Sequence, residues 1–268
     1  MKRFAYMLTA LLVISYGASA QKLTILHLND THSHIEPERV GSLIGHGGTL
    51  ERAAYVDSVR AADGRKNVLL LHAGDFSQGT SYFTLMHGFV EVGLMNAMRF
   101  DATAIGNHEF DNGLEELAAR AKKLKFPILC ANYDFSGFEL GKYVKPYTIV
   151  RKAGLKIGII GLTTDVRPVV DAAIARQLEF HDPVEVANRY AEYLRNKKKC
   201  DMVICLTHLG FAEDKALIDS GLRYVDLIVG GHSHTVLNEI WWEKGVEIPV
   251  VQNGCWGLNM GNIKVEKL

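Results

Sequence analysis

Cysteine is scarce in this chain: Cys130, Cys200, Cys205 and Cys255 are the only four in 268 residues. Their spacings match no zinc ribbon. Cys200 and Cys205 are too close along one strand to pair easily, so the sequence reads as a fold without disulfides. Cys255 is the position where a bridge would be sought. Neither sign of charge is in excess, with thirty basic against thirty acidic residues. That balance leaves no broad basic field to hold polymeric nucleic acid or an anionic membrane. Proline is rare, and no Pro/Ser-rich linker, internal repeat or low-complexity tract divides the chain. After residue 20 no segment is long and apolar enough for a bilayer, which takes about 20 residues. Several enzyme signatures are missing as well. His108-Glu109 has no second His three residues on, which excludes the zinc-protease helix. No G-x-S-x-G elbow and no Walker-type loop occurs.

What is present begins with a leader. Lys2-Arg3, the apolar stretch Phe4 to Tyr16 and the small-x-small site Ala18-Ser19-Ala20 predict a signal peptide over 1–20, with an exported protein, periplasmic or secreted, starting at Gln21. The rest alternates between two patterns. Near-continuous apolar runs at Leu23–Leu28, Val68–His72, Ala102–Ile105, Ile128–Ala131, Leu155–Leu162, Met202–Leu206, Leu227–Val229 and Pro249–Val251 read as buried strands. A closing strand is expected over Met260–Val265. Leu50–Ala62, Phe89–Met98, Leu114–Leu124 and Val184–Asn196 carry apolar residues at helical spacing, and Asp182-Pro183 reads as a cap followed by proline at the first helical position. This order predicts one α/β domain over 21–268, with two mixed β-sheets packed face to face and helices outside, a four-layer sandwich.

Five short segments after apolar runs end in potential metal ligands. They are His27-Leu28-Asn29-Asp30-Thr31-His32, Gly74-Asp75, Gly106-Asn107-His108-Glu109, Thr207-His208 and Gly230-Gly231-His232-Ser233-His234. Loops leaving the carboxyl ends of strands in an open α/β sheet converge on one crevice. Asp30 and His32 are two apart, so alternation in an extended segment would point both at one ion. Gly74 allows a sharp turn before Asp75, whose two carboxylate oxygens suit a bridge between two ions. Asn107 offers an amide oxygen; His208, His232 and His234 offer imidazole nitrogens. Mixed N and O donors favour two divalent ions of the zinc, manganese or iron kind over calcium. Singly, each residue has a blander reading as a cap, a turn or a hydrogen-bonded histidine. Their co-occurrence on five strand ends is what argues against it. His27, His46, His72, His87 and His181 read as structural or surface residues, with His72 close enough to Asp75 to support it. Thr163-Thr164-Asp165 reads equally as crevice lining or as a turn, and Trp241, Trp242 and Trp256 as packing residues.

Together, Asn29-Asp30-Thr31-His32, Gly74-Asp75-Phe76-Ser77-Gln78-Gly79, Gly106-Asn107-His108-Glu109-Phe110-Asp111, Thr207-His208-Leu209-Gly210 and Gly230-Gly231-His232-Ser233-His234 resemble, in order, the motifs of the calcineurin-like metallophosphoesterases. Within these they are most similar to the metal-binding domain of the secreted 5′-nucleotidases. The resemblance implies that Asp30, His32 and His234 hold a first metal, that Asn107, His208 and His232 hold a second, and that Asp75 bridges them. It implies that His108, oriented by Asp111, serves the leaving group, and that Asn107 and His108 contact a small phosphorylated substrate, a nucleotide by preference. Related nucleotidases often carry Gln at the position of His234. The secreted nucleotidases also have a second domain that clamps the base; without it nucleotide selectivity is not carried over by the resemblance, and a separately made chain is one way to supply it. Readings kept beside the phosphomonoesterase are a cyclic-nucleotide phosphodiesterase on the same metals and a metal-binding subunit that needs a partner chain.

Overall fold

A computed structural model describes residues 22–237, 240–241 and 248–266. The expected leader and Trp242 lie outside them. The strands are β1 (Lys22–Leu28), β2 (Val68–His72), β3 (Ala102–Ala104), β4 (Ile128–Leu129), β5 (Tyr133–Asp134), β6 (Val144–Lys145), β7 (Tyr147–Lys152), β8 (Leu155–Thr163), β9 (Glu179–Phe180), β10 (Met202–His208), β11 (Leu227–Val229), β12 (Val250–Val251) and β13 (Gly261–Glu266). One sheet runs β13-β1-β2-β3-β4-β6 and the other β12-β11-β10-β8-β7; β5 and β9 form a small ribbon. Both large sheets are mixed, because β1–β13 and β7–β8 pair antiparallel while the other pairs are parallel.

The period of two in the strands builds the layers. In β2, Leu69 and Leu71 join a core shared with β8, β10 and β11, while Val68 and Leu70 face outward. In β10, Ile204 and Leu206 enter the shared core while Val203 and Cys205 turn to the other side. Apolar residues on both faces of each strand therefore explain why the runs look continuous. The outer face of the first sheet is covered by α1 (Thr49–Asp63) and, past the short α2 (Ser81–Met86), by α3 (Phe89–Met98), through Val56, Val59, Val92 and Met95. Beside β4 sits α4 (Gly113–Ala121), then comes the single turn α5 (Ala172–Ala175). The second sheet is covered by α6 (Pro183–Glu192) and α7 (Phe211–Asp219), through Ala187, Ala191, Leu217 and Ile218. Four layers result, as the alternation of patterns predicts. All four cysteines are free thiols, three of them buried.

The differences from the sequence reading are local. Asp182 caps α6 as expected, accepting from Glu185 N–H with Pro183 in the first turn, but the helix gives way at Tyr193–Lys197 to a π-turn. The strand expected to reach Ala131 stops at Leu129, since Cys130 and Ala131 bond to Lys145 and Gly161 outside the regular ladder. The edge strand β7 escaped notice because it is only half-buried and lacks an apolar run. Helix α7 escaped because its apolar residues do not line up into one stripe.

Candidate metal centre

Asp30 and His32 follow β1, Asp75 follows β2, Asn107 follows β3, His208 is the last residue of β10, and His232 and His234 follow β11. These strands are parallel within each sheet, so the five segments leave at carboxyl ends and the sheet packing brings them to one edge. The ligand-type atoms of Asp30, His32 and His234 lie within 4.8 Å of one another, as do those of Asp75, His208 and His232. A third set, His32, Asp75 and His108, links the two. Six of the seven sequence-predicted candidates fall in these groups together with His108; Asn107 directly precedes His108, and Asp111 hydrogen-bonds it.

The backbone there departs from the expectation of an extended Asp30–His32 segment. Asp30 (φ 49°), His32 (φ 45°) and Ser33 (φ 54°) are left-handed, as are Asp75 (φ 55°), His232 (φ 77°) and His234 (φ 53°). A tight turn, not strand alternation, aims Asp30 and His32 together. Each such residue costs about 1–3 kcal/mol. Asp and His tolerate the region better than most, yet the sum is comparable with the whole stability of a domain, about 5–15 kcal/mol. Cross-bracing holds the geometry. Asp30 N–H donates to Gly74 O (3.0 Å), His32 N–H to Asp75 O (3.1 Å) and His232 N–H to Asp30 Oδ2 (2.9 Å). Two glycines let the loops touch. A Cβ on Gly106 would stand 2.1 Å from Asp75 Oδ1, and one on Gly74 (φ 89°) would stand 2.7 Å from His208 Nδ1.

The donor atoms face one another in a way that asks for cations. His208 Nδ1–H donates to Ala73 O at 2.7 Å, which leaves the Nε2 lone pair bare, fully buried and 3.0 Å from Asp75 Oδ2. The Nε2 atoms of His32 and His234 are also 3.0 Å apart, and His234 Nε2 is 3.3 Å from Asp30 Oδ1. Asn107 Oδ1 is buried without a partner. Lone pairs opposed at such distances repel unless a proton or a metal ion lies between them. Without metal, burial disfavours charge on His208, but Asp75 and Asp30 outweigh it and push the imidazole up to about 10. Burial likewise opposes charge on Asp75, and His208 outweighs it, holding the carboxyl well below its usual range. Nitrogen and oxygen donors in these two groups therefore fit divalent ions of the zinc, manganese or iron class.

Beside them, His108 Nδ1 is 2.9 Å from Asp111 Oδ2 and both side chains are partly exposed. Burial resists charge on His108; the hydrogen bond to Asp111 and the nearby Asp75 prevail and raise it. His108 N–H donates to Asp75 Oδ1 (2.9 Å), which ties the Asn107–His108 turn to the Asp75 loop.

Sequence reasoning gave no role to Glu109, although it sits inside the Gly106-Asn107-His108-Glu109 motif. Its carboxylate is fully buried and accepts from the N–H groups of Asp75, Phe76, Ser77 and Gly106 and from Ser77 Oγ. Arg120 in turn donates to Ser77 Oγ (2.8 Å) and Glu109 O (2.5 Å). An acidic residue next to a candidate catalytic histidine was the available signal. Asn29 is a second omission: its amide donates to Asp30 Oδ2 (2.7 Å) and Gly254 O, and its oxygen accepts from Asn253 N–H. His72 is fully buried, which pushes its pKa down to about 3, and meets Thr31 Oγ1 at 3.0 Å. Thr163 ends β8 and its Oγ1 donates to Ile105 O, while Asp165 accepts from Arg167 N–H. Trp241 packs on Phe211, and Trp256 stacks on His34 while its backbone N–H donates to Asp30 O.

A family profile for calcineurin-like phosphoesterases matches residues 23–236. The chain belongs to the calcineurin-like phosphoesterase family. This phosphoesterase is 38% identical over 269 residues to a snake venom 5′-nucleotidase of Naja atra, covering 91% of this chain and 50% of that one. It is 35% identical over 276 residues to the 5′-nucleotidase of Homo sapiens, covering 93% and 47%. The crystal structure of a 5′-nucleotidase precursor from Thermus thermophilus superimposes with a TM-score of 0.81 at 36% identity, over 91% of this chain and 51% of that one. The phosphoesterase thus spans about half the length of these relatives. Its family and its nucleotidase relatives support a phosphoester hydrolase that works with divalent metal ions. Among the described residues no helix is long and apolar enough to cross a membrane.

Proposed function

We propose that the protein is an exported phosphomonoesterase of the 5′-nucleotidase kind, with a dinuclear metal centre. The observation that carries this reading is the meeting of two ligand groups, Asp30/His32/His234 and Asp75/His208/His232, beside a partly exposed His108–Asp111 pair. Asp30, His32 and His234 would hold one ion and Asn107, His208 and His232 the other, with Asp75 shared. Two such ions supply charge neutralisation for phosphate oxygens and a nucleophile drawn from water at neutral pH.

The residues do the rest. Asp111 accepts from His108 Nδ1–H, which fixes the ring and leaves Nε2 as the atom that carries the mobile proton. The carboxylate raises the affinity of the ring for that proton, so His108 reaches the departing oxygen as an acid. As the ester bond breaks, this proton passes to the leaving alkoxide, which departs as a neutral alcohol. His208, its Nδ1 spent on Ala73, presents only a lone pair inward and needs no further ordering. Neighbouring Asn107 offers an amide oxygen and no charge, so it does not add to the repulsion felt by an incoming phosphate.

A nucleoside monophosphate is the proposed substrate, on the strength of the nucleotidase relatives. Selectivity for the base is proposed to lie in what those relatives carry beyond the matched half, whether on this polypeptide or on a partner. Two observations support export: the leader-like start of the sequence and the venom origin of the Naja atra relative. The test is a panel of nucleoside monophosphates, cyclic nucleotides and aryl phosphates assayed with and without chelator, on the parent and on His108→Ala. The expected result is chelator-sensitive monoesterase activity, with His108→Ala keeping its metal content and losing turnover by about 10²–10⁴-fold. Parent-like turnover by His108→Ala would remove the acid role; activity indifferent to chelator would remove the metal centre.

A further inference from the structure

Behind the Asp30–His32 turn lies a cavity of about 40 Å³ whose walls include Thr31, Ser33, His72, Phe76 and Glu91. A single trapped water needs roughly 10–15 Å³, so there is room for more than one. The walls are chemically unusual. Glu91, on α3, is 5% exposed, and among the described residues neither of its carboxylate oxygens has a hydrogen-bond partner. Ser33 Oγ and His72 Nδ1 are buried and unpartnered as well. Most buried polar groups are bonded, and an unpaired buried carboxylate is among the costliest exceptions. Three such groups on one small cavity are not independent accidents.

The hydrogen-bond roles say what is missing between them. Thr31 Oγ1 lies 3.5 Å from Phe76 O, and only its hydroxyl hydrogen can serve that contact. It then accepts from His72 Nε2–H at 3.0 Å, and His72 Nδ1 is left as an acceptor. Glu91 contributes acceptors too. Arg52 also lines the cavity, but its Nη1 and Nη2 groups donate to Trp256 O, Gly257 O, His34 O and Thr49 Oγ1; a donor with two hydrogens placed between Glu91 and His72 Nδ1 would serve both, which describes water.

We propose that water trapped in this cavity bridges Glu91 to His72 Nδ1 and Ser33 Oγ, and that Glu91 is thereby a positioning residue for the Asp30–His32 turn. The chain of contacts is Glu91, water, His72, Thr31, with Thr31 lying between Asp30 and His32; Ser33 follows His32 directly. The turn holds three consecutive polar side chains beside left-handed backbone at Asp30, His32 and Ser33, so loss of the bridge frees it to relax. This inference rests on the reading of Asp30 and His32 as metal ligands.

The test compares the full chain with Glu91→Gln and Glu91→Leu, each stripped of metal and titrated with Mn²⁺ by calorimetry, with thermal unfolding of the metal-free forms alongside. Glu91→Leu is expected to weaken one of two Mn²⁺ sites by about 10–100-fold while the metal-free protein unfolds no earlier than the parent, since a buried carboxyl group without a direct hydrogen-bond partner has been removed. Glu91→Gln, able to bond the same water, is expected to keep the parent's affinity. A merely structural Glu91 would shift unfolding and leave the Mn²⁺ sites alike. Parent-like Mn²⁺ binding by Glu91→Leu overturns the proposal. Should that variant not fold, weakened binding by Glu91→Gln, or a high-resolution crystal structure of the parent with no water between Glu91 and His72, overturns it; Rb⁺ found in the cavity by anomalous scattering does the same. A parent that takes up no Mn²⁺ would instead sink the dinuclear centre, and the crystal water would then decide the cavity alone.

Discussion

The two ligand clusters are built differently. Asp75 and His208 form an inner cluster: both are buried, the His208 ring is pinned by Ala73 O, and the Asp75 loop hangs on the fully bonded Glu109 carboxylate. Asp30, His32 and His234 form an outer cluster. Its His234 side chain is 43% exposed, and its support runs through Asn29 on one side and the Glu91–His72 cavity on the other. The two supporting glutamates show the contrast. Glu109 meets five protein donors, whereas Glu91 meets none. A carboxylate bonded wholly by protein freezes a loop in one arrangement. One that faces a cavity leaves its loop able to adjust. The inner cluster is therefore expected to hold its ion tightly, and the outer one to exchange.

Asp75→Asn breaks the comparison outright, because Asp75 belongs to the inner group and approaches His32 as well. Loss of both ions is expected, with kcat/KM down by a factor on the order of a thousand, about 4 kcal/mol; metal content by mass spectrometry and steady-state kinetics check it. A variant that keeps two equivalents of metal would mean that Asp75 is not shared.

Glu109→Gln sharpens it from the inner side. An amide NH₂ would face the N–H groups of Asp75 and Gly106, so inner-site affinity should fall about 10–100-fold and stability by about 1.5–3 kcal/mol, as read by calorimetry and chemical denaturation. Equal weakening of both sites would erase the distinction between the clusters.

His234→Gln probes the outer side. The residue is exposed, and a longer amide or water can replace the imidazole, so a loss of about tenfold in one site, near 1.4 kcal/mol, is expected in a Mn²⁺ or Zn²⁺ titration. A loss as deep as that of Asp75→Asn would show that the outer cluster is no looser than the inner.

The smallest effect on metal is expected at Asp214, behind the inner cluster. It is fully buried, accepts from Thr207 Oγ1 (2.7 Å), and burial pushes it up to about 7. From its ordinary value of 3.8 up to about 7, the unfolded chain has released this proton while the fold retains it. Stability therefore falls as pH rises through that window and stays reduced above it. Asp214→Asn should remove the loss, stabilising the protein at pH 8 by about 1–3 kcal/mol and changing little near pH 4. Thermal unfolding across pH decides the matter; a variant less stable at pH 8 would refute the assignment.

Much of this was legible in the residues. The strand-end placement of Asp30, Asp75, Asn107, His208 and His232 follows from apolar runs that stop just before them, and the layered fold follows from runs apolar on both faces. The left-handed turn at Asp30 and His32 was not legible, because it depends on Gly74 and Asp75, whose carbonyls receive the N–H groups of Asp30 and His32. Nor was the role of Glu109, since a glutamate in a loop carries no mark of which amides it will meet. Strand β7 was hidden by its half-buried edge position, and α7 by its scattered apolar residues.

The sequence by itself determined the candidate donor residues, the strands that carry them and the family to which the chain belongs, because those depend on residue type and local periodicity. Only the tertiary structure decided which donors face which: the Asp75–His208 and His32–His234 approaches, the bracing of one cluster by Glu109, and the cavity at Glu91. Those depend on how the elements pack, and contacts between residues some thirty to two hundred positions apart are set by the packing of the whole core, not by any local pattern.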